Sequence, residues 1–142
     1  MSARDERGTV SVLVIGFFLI AVLLVGVVVD ASAAYLRRQG LTALADATAL
    51  AAADGVMAAQ AYAGDPESSA IDPVVAREHA TAYLDQVDAD AHYEGLRLEV
   101  GVSSGAVTVR LSTPLELPIA PPGWEDAPVI VAESAALVVV GG

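Results

Sequence analysis

The residues with the means for chemistry are few in this chain. His79 and His92 are its two histidines, there is no cysteine, and no serine sits in a G-x-S-x-G elbow. Neither histidine lies in an HExxH or HxH pattern, and a catalytic zinc needs three protein ligands. No glycine-rich loop stands between a strand and a helix, as phosphate-cradling loops require. One cluster has oxygen-ligand spacing: Asp88-x-Asp90-x-His92, followed by Glu99. A twelve-residue calcium loop requires glycine at its sixth position and favours Asp or Asn at its fifth. Here those positions hold Tyr93 and His92, and Glu99 falls in the middle of an expected strand. The cluster therefore reads as a solvated acidic turn. No catalytic residue, no cofactor-binding residue and no metal ligand is assigned, and the chain is expected not to be an enzyme.

Composition narrows the partners. Eighteen Asp and Glu stand against seven basic residues, all Arg, giving a formal charge of -11. Nucleic acid binding needs clustered cations to neutralise phosphates, and a polybasic membrane-surface role needs them too. Neither nucleic acid nor a small-molecule substrate is expected as a partner. With 142 residues there is room for one membrane segment and one small domain.

The element that dominates is Val10–Val29, VSVLVIGFFLIAVLLVGVVV, without a charge and with Ser11 its one polar side chain. Twenty helical residues span about 30 Å, the hydrocarbon thickness of a bilayer. In lipid a helix is nearly forced, because nothing else there satisfies the backbone N–H and C=O groups. Arg4, Asp5, Glu6 and Arg7 precede the block and Asp30 follows it. A cleaved signal peptide is the alternative, since Ala31-Ser32-Ala33 fits a small-x-small cleavage site and would release a secreted acidic binding module after Ala33. The apolar block is longer than the roughly 7–15 residues of a secretory core. Arg4 and Arg7 on one side nearly balance Arg37 and Arg38 on the other, and Arg7 tips the N-terminus inward. Gly16 and Gly26 are ten residues apart and make no small-xxx-small seam.

After Asp30 comes an alanine-rich run in which seven of the eleven residues from Ala43 to Ala53 are Ala, so a helix is expected on propensity alone. Leu36, Leu41, Leu44 and Leu50 form a ragged stripe, which argues against a long coiled coil. Small side chains let another element approach the backbone closely. Gly40 is a candidate bend, Gly55 a candidate helix end, and Gly64 the alternative end.

The ordered pieces of this region resemble a known family. Glu6-Arg7-Gly8 leads into the apolar block and Val29-Asp30 closes it. Arg37-Arg38 and Leu41 follow, then Ala45-Asp46-Ala47-Thr48-Ala49-Leu50-Ala51-Ala52-Ala53. This order resembles the N-terminal region of the TadE/TadG-like proteins of Flp (tight-adherence) pilus systems, which show an ERG start, a membrane helix ending in Asp, and an ADAAALAAA run. Thr48 stands where that family usually has Ala, and Thr42 where Gln is frequent. The resemblance implies a membrane-anchored, minor pilin-like accessory protein acting in pilus assembly, adherence or secretion, with other assembly proteins as partners. Cutting after Gly8 would place Leu13 where processed prepilins carry Glu, so the chain resembles the uncleaved TadG-like branch.

The remainder reads as an α+β domain. Asp72 is a candidate N-cap with Pro73 at the first helical position. Val74, Ala76 or Arg77, Ala80, Tyr83, Leu84 and Val87 recur at helical spacing, giving a helix of about 15 residues that ends near the acidic Asp85, Asp88 and Asp90. Leu96, Leu98, Val100 and Val102 alternate with polar or small residues, as do Val107, Val109 and Leu111. Ser103-Ser104-Gly105 joins the two runs into a hairpin. Leu115–Ile119 is a candidate short strand limited by Pro118, and Pro121–Trp124 a loop whose Trp124 is expected to fold back over the sheet, an interaction hot spot being the alternative. Val129–Val131 follows Pro128, and Ala135–Val140 is the last strand. The expected organisation is a cytoplasmic N-terminus (1–9), a transmembrane helix (10–29), an alanine-rich stalk (30–63) and an extracytoplasmic α+β domain (64–142). The expected location is the inner membrane.

Overall fold

The structure, a computed structural model, describes residues 5–64, 70–115 and 128–138. Its first element, α1 (Asp5–Ala63), is one helix of 59 residues. The apolar block and the alanine-rich run are thus a single rod, and neither Gly40 nor Gly55 interrupts it. The end falls at Gly64, whose φ of 67° is the left-handed cap that glycine adopts without a Cβ penalty. Gly55 as a helix end is therefore corrected. Its Cα lies against the ring of His79 from the next helix, and a Cβ there would collide with it. Gly40 likewise makes room for the hydroxyl of Tyr93. Both glycines serve close approach rather than a break.

The second helix, α2 (Pro73–Gln86), is 14 residues long. Its start is as expected, because Asp72 takes an extended conformation and its carboxylate accepts from the Val74 N–H at 2.8 Å. Capping of this kind satisfies one of the helix's orphan donors. Ala76, Ala80 and Leu84 form its buried face. A single turn, α3 (Ala89–His92), follows, entered through Asp88 at a left-handed φ of 55°. Nothing in the sequence pattern anticipated α3.

Three strands complete the fold: β1 (Arg97–Ser103), β2 (Ala106–Pro114) and β3 (Val129–Leu137), antiparallel in the order β1-β2-β3. The hairpin turn holds Ser104 and Gly105, both at positive φ, as a two-residue I′ turn demands. β3 differs from expectation. It begins at Val129 and runs without a break through Glu133 and Ser134, so Val129–Val131 and Ala135 onward are one strand. Residues 116–127 and 139–142 lie outside the described residues, and with them Trp124 and most of the candidate strand at Leu115–Ile119; Leu115 itself is not in a strand.

The core sits between one face of the sheet and the two long helices. Val107, Val109, Leu111 and Thr113 of β2 point inward with no exposed surface. Against them α1 presents Leu41, Ala45, Thr48, Ala49, Ala52, Ala53 and Val56, all buried. These positions recur at spacings of three and four residues, with neighbours at 48/49 and 52/53, as one face of a 3.6-residue helix does. The buried stripe is thus mostly alanine, while Leu36 and Leu50 are 64% and 57% exposed. α1 covers β3 and β2, and α2 covers β1 and packs on α1.

Candidate functional site

The surface most in need of a partner is the first third of α1. From Val10 to Val29 every large apolar side chain is at least half exposed, Phe17 at 74% and Leu13 at 73% among them. The span carries no charge, and the helix is long and apolar enough to cross a membrane. Burying such side chains is worth about 1.5–3 kcal/mol each relative to water. No protein element among the described residues supplies that burial: a Cβ added at Gly16 would meet nothing within 4 Å.

Beyond the apolar span the helix satisfies its own hydroxyl groups. Ser32 donates its hydroxyl to the Val28 carbonyl at 2.8 Å, Thr42 to Arg38 at 3.0 Å and Thr48 to Leu44 at 2.7 Å. This back-bonding lets hydroxyls sit beside lipid or inside an apolar core without an unmet donor. Asp30 Oδ1 and Arg37 Nε are covered from solvent and have no hydrogen-bond partner among the described residues. The Arg37 guanidinium lies 6.0 Å from the centroid of the Tyr93 ring, at the outer limit for a cation–π contact. Tyr93 thereby touches both Arg37 and the gap left by Gly40, tying the foot of the sheet domain to the helix just above the apolar span.

The sequence's candidate ligands are not brought together. Asp88 and Asp90 lie at the start of α3, and His92 at its end, its Nδ1 3.1 Å from the Asp88 carbonyl oxygen. Glu99 is on β1, facing Arg110 of β2 at 3.9 Å. His79 is an exposed residue of α2 resting on Gly55. Among the described residues no three His, Cys, Asp or Glu side chains are placed to share a metal ion. The clefts are equally plain. One of about 380 Å³ lies along α1 beside Tyr35, Arg38, Gln39 and Thr42, and a second of about 200 Å³ lies between Val56, Gln60, Asp72 and Val75. The first is lined by residues of α1 alone, Asp46 among them, and neither is an enclosed cavity.

Sequence reasoning found the anchor span and its bounding Asp30 but missed the Arg37–Tyr93–Gly40 contact. Its one trace in the sequence is a glycine inside an otherwise strong helix former.

Comparison with known proteins agrees with the reading of the helix. No curated protein and no solved structure matches the chain. Residues 8–62 match the Tad family model, described as "Putative Flp pilus-assembly TadE/G-like". The match begins inside the ERG segment and ends one residue before the end of α1, covering less than half of the 142 residues. Over residues 8–62 the chain is therefore similar to the TadE/G-like Flp pilus-assembly family.

Proposed function

We propose that the protein is a structural, non-catalytic component of Flp-type pilus assembly, held in the inner membrane by residues 10–29 with its α+β domain outside the cytoplasm. The observation that carries this reading is the bare apolar span on the same unbroken helix that forms the core of the domain. The family segment supplies the pilus context. The anchor works by transfer of large side chains into lipid, while the alanine stripe holds the sheet at a set height above it. Continuity of α1 through Ala31–Ala34 favours retention of the anchor, since the helix offers no break at the small-x-small site. The domain would then meet other assembly proteins, and the anchor other membrane helices.

Fractionation tests the membrane part: the native protein stays in a carbonate-washed pellet, external protease reaches its C-terminus, and its intact mass includes Val10–Val29. A soluble pool beginning at Ala34 overturns the anchor. Deletion of the gene removes surface pili, and a copy lacking residues 10–29 fails to restore them. Normal piliation in the deletion strain overturns the assembly role.

A further inference from the structure

The edge of the sheet at β3 has its backbone groups laid out for another strand. Their direction follows from two hydrogen bonds that bracket the β2–β3 ladder. The Val138 N–H donates to the Gly105 carbonyl at 2.8 Å, and the Leu115 N–H to the Pro128 carbonyl at 2.7 Å. In an antiparallel pair the residues that exchange bonds alternate with those that do not. The register Val107↔Ala136, Val109↔Ser134, Leu111↔Ala132 and Thr113↔Ile130 has the same phase as both bracketing pairs. The even-numbered residues of β3 therefore bond to β2. Val129, Val131, Glu133, Ala135 and Leu137 direct N–H and C=O away from the sheet, and no described strand lies beyond them.

Natural edges are guarded by lysines, internal prolines, bulges or short length. β3 is nine residues long and in unbroken register, with no internal Pro and no Lys. Val129 and Leu137 on its outer face are 62% and 73% exposed. Glu133 is its one charge, and it ends a cross-strand row. Glu99, Arg110 and Glu133 are aligned, and Arg110 makes its ion pair with Glu99. A cation on a fourth strand would extend the alternation of charge.

A second copy does not fit. An antiparallel β3–β3 pair places a two-fold axis perpendicular to the sheet. Such an axis reverses every direction in the sheet plane, including that of α1, which lies along the sheet. The two anchors would leave in opposite directions, which one bilayer forbids; this exclusion rests on the anchor reading above. The other edge strand of the described sheet, β1, brings Glu99 in the middle of its outward row, a like charge to Glu133. We infer that β3 is a docking edge for an extended, cationic segment of a different protein, bound by strand addition with Lys or Arg beside Glu133.

The test uses the full chain in detergent micelles, so that its outcome does not depend on the membrane reading. Amide exchange of the unliganded protein should alternate along β3, with Val131 and Glu133 exchanging at least about a hundred-fold faster than Ala132 and Ser134. The probe is a blocked nine-residue peptide alternating Thr and Val with a central Arg. It should slow exchange at Val131, Glu133 and Ala135, and bind about five-fold more tightly than the same peptide with central Glu. Val131→Pro removes an N–H that β2 does not use. It should weaken peptide binding at least about ten-fold while the thermal midpoint holds, whereas Val100→Pro on β1 leaves binding unchanged. Glu133→Lys, which keeps every backbone group, should reverse the preference between the two peptides. Slow exchange of the odd-numbered amides without peptide, peptide-free dimerisation through this edge, or equal binding of the Arg and Glu peptides would each overturn the proposal.

Discussion

The substitution Gly55→Ala puts the packing of α1 on α2 to a quantitative test. In a solvated helix, replacing Gly by Ala stabilises by about 1 kcal/mol, because glycine loses more backbone entropy on folding. At Gly55 the new Cβ would fall inside contact distance of Cγ, Cδ2 and Nδ1 of His79. Those atoms are the root and body of the ring, so the whole side chain or the α2 backbone must move. Overpacking of that kind costs about 1–3 kcal/mol. The net effect expected is a loss of up to about 2 kcal/mol, set by the propensity gain against the clash. In a His79→Ala background the clash is gone, and Gly55→Ala should stabilise by about 0.5–1 kcal/mol. The coupling between the two sites is then about 1–3 kcal/mol, or roughly 4–8 °C of thermal midpoint per kcal/mol for a domain this small. Thermal unfolding of the four proteins in one detergent, followed by exchange of the β2 amides, measures it. Gly16→Ala, where a Cβ meets nothing within 4 Å, is the internal control. Additive effects, or a Gly55→Ala protein as stable as the control, would refute the reasoning.

Other outcomes follow from single contacts. Thr113 is fully buried and donates to the Glu94 carbonyl at 2.9 Å, so Thr113→Val should lower stability by about 1–2 kcal/mol in urea unfolding. Asp72→Ala removes the cap of α2 and should cost about 1 kcal/mol, with faster amide exchange confined to the first turn of that helix. Val22→Arg places a charge at the centre of the anchor, where insertion costs about 2.5–3.5 kcal/mol, and should shift protein from the carbonate pellet to the wash. Insertion of one Ala after Ser32 turns the anchor by about 100° relative to the sheet, whereas seven residues restore the angle to within about 20°. Piliation should fail with the first and survive with the second if the facing of the anchor matters.

Much of this architecture is written in the sequence where local rules act alone. Asp72-Pro73 sets the start of α2, Ser104-Gly105 sets the hairpin, and a charge-free run of twenty residues sets the exposed span. The unread parts depend on tertiary contact. Leu36, Leu41, Leu44 and Leu50 stand out in the sequence because large side chains carry the hydrophobic contrast. Leu41 alone of the four is fully buried, and most of the face around it is drawn in alanine, which carries little contrast. Gly40 reads as a bend and Gly55 as a helix end because propensity counts only backbone entropy, whereas the fold uses their missing Cβ for Tyr93 and His79. The expected strands Val129–Val131 and Ala135–Val140 leave out Ala132–Ser134, where two polar neighbours break the apolar alternation. The continuity of β3 comes from pairing with β2, where Glu133 lies opposite Arg110.

The two halves of α1 solve opposite problems with one hydrogen-bonded ladder. Lipid surrounds a helix on all sides, so residues 10–29 carry bulky apolar groups around the whole circumference. A sheet touches a helix on one side only, and the closer it comes the better β2 can bury Val107, Val109 and Leu111, each worth about 1.5–3 kcal/mol. Alanine at 45, 49, 52 and 53 contributes little area itself but sets that distance. Because no residue between the halves breaks the helix, the stripe that faces the sheet also fixes which anchor residues face any neighbouring membrane helix. A displacement or rotation imposed on residues 10–29 therefore reaches the sheet and its β3 edge with no break in the helix to absorb it.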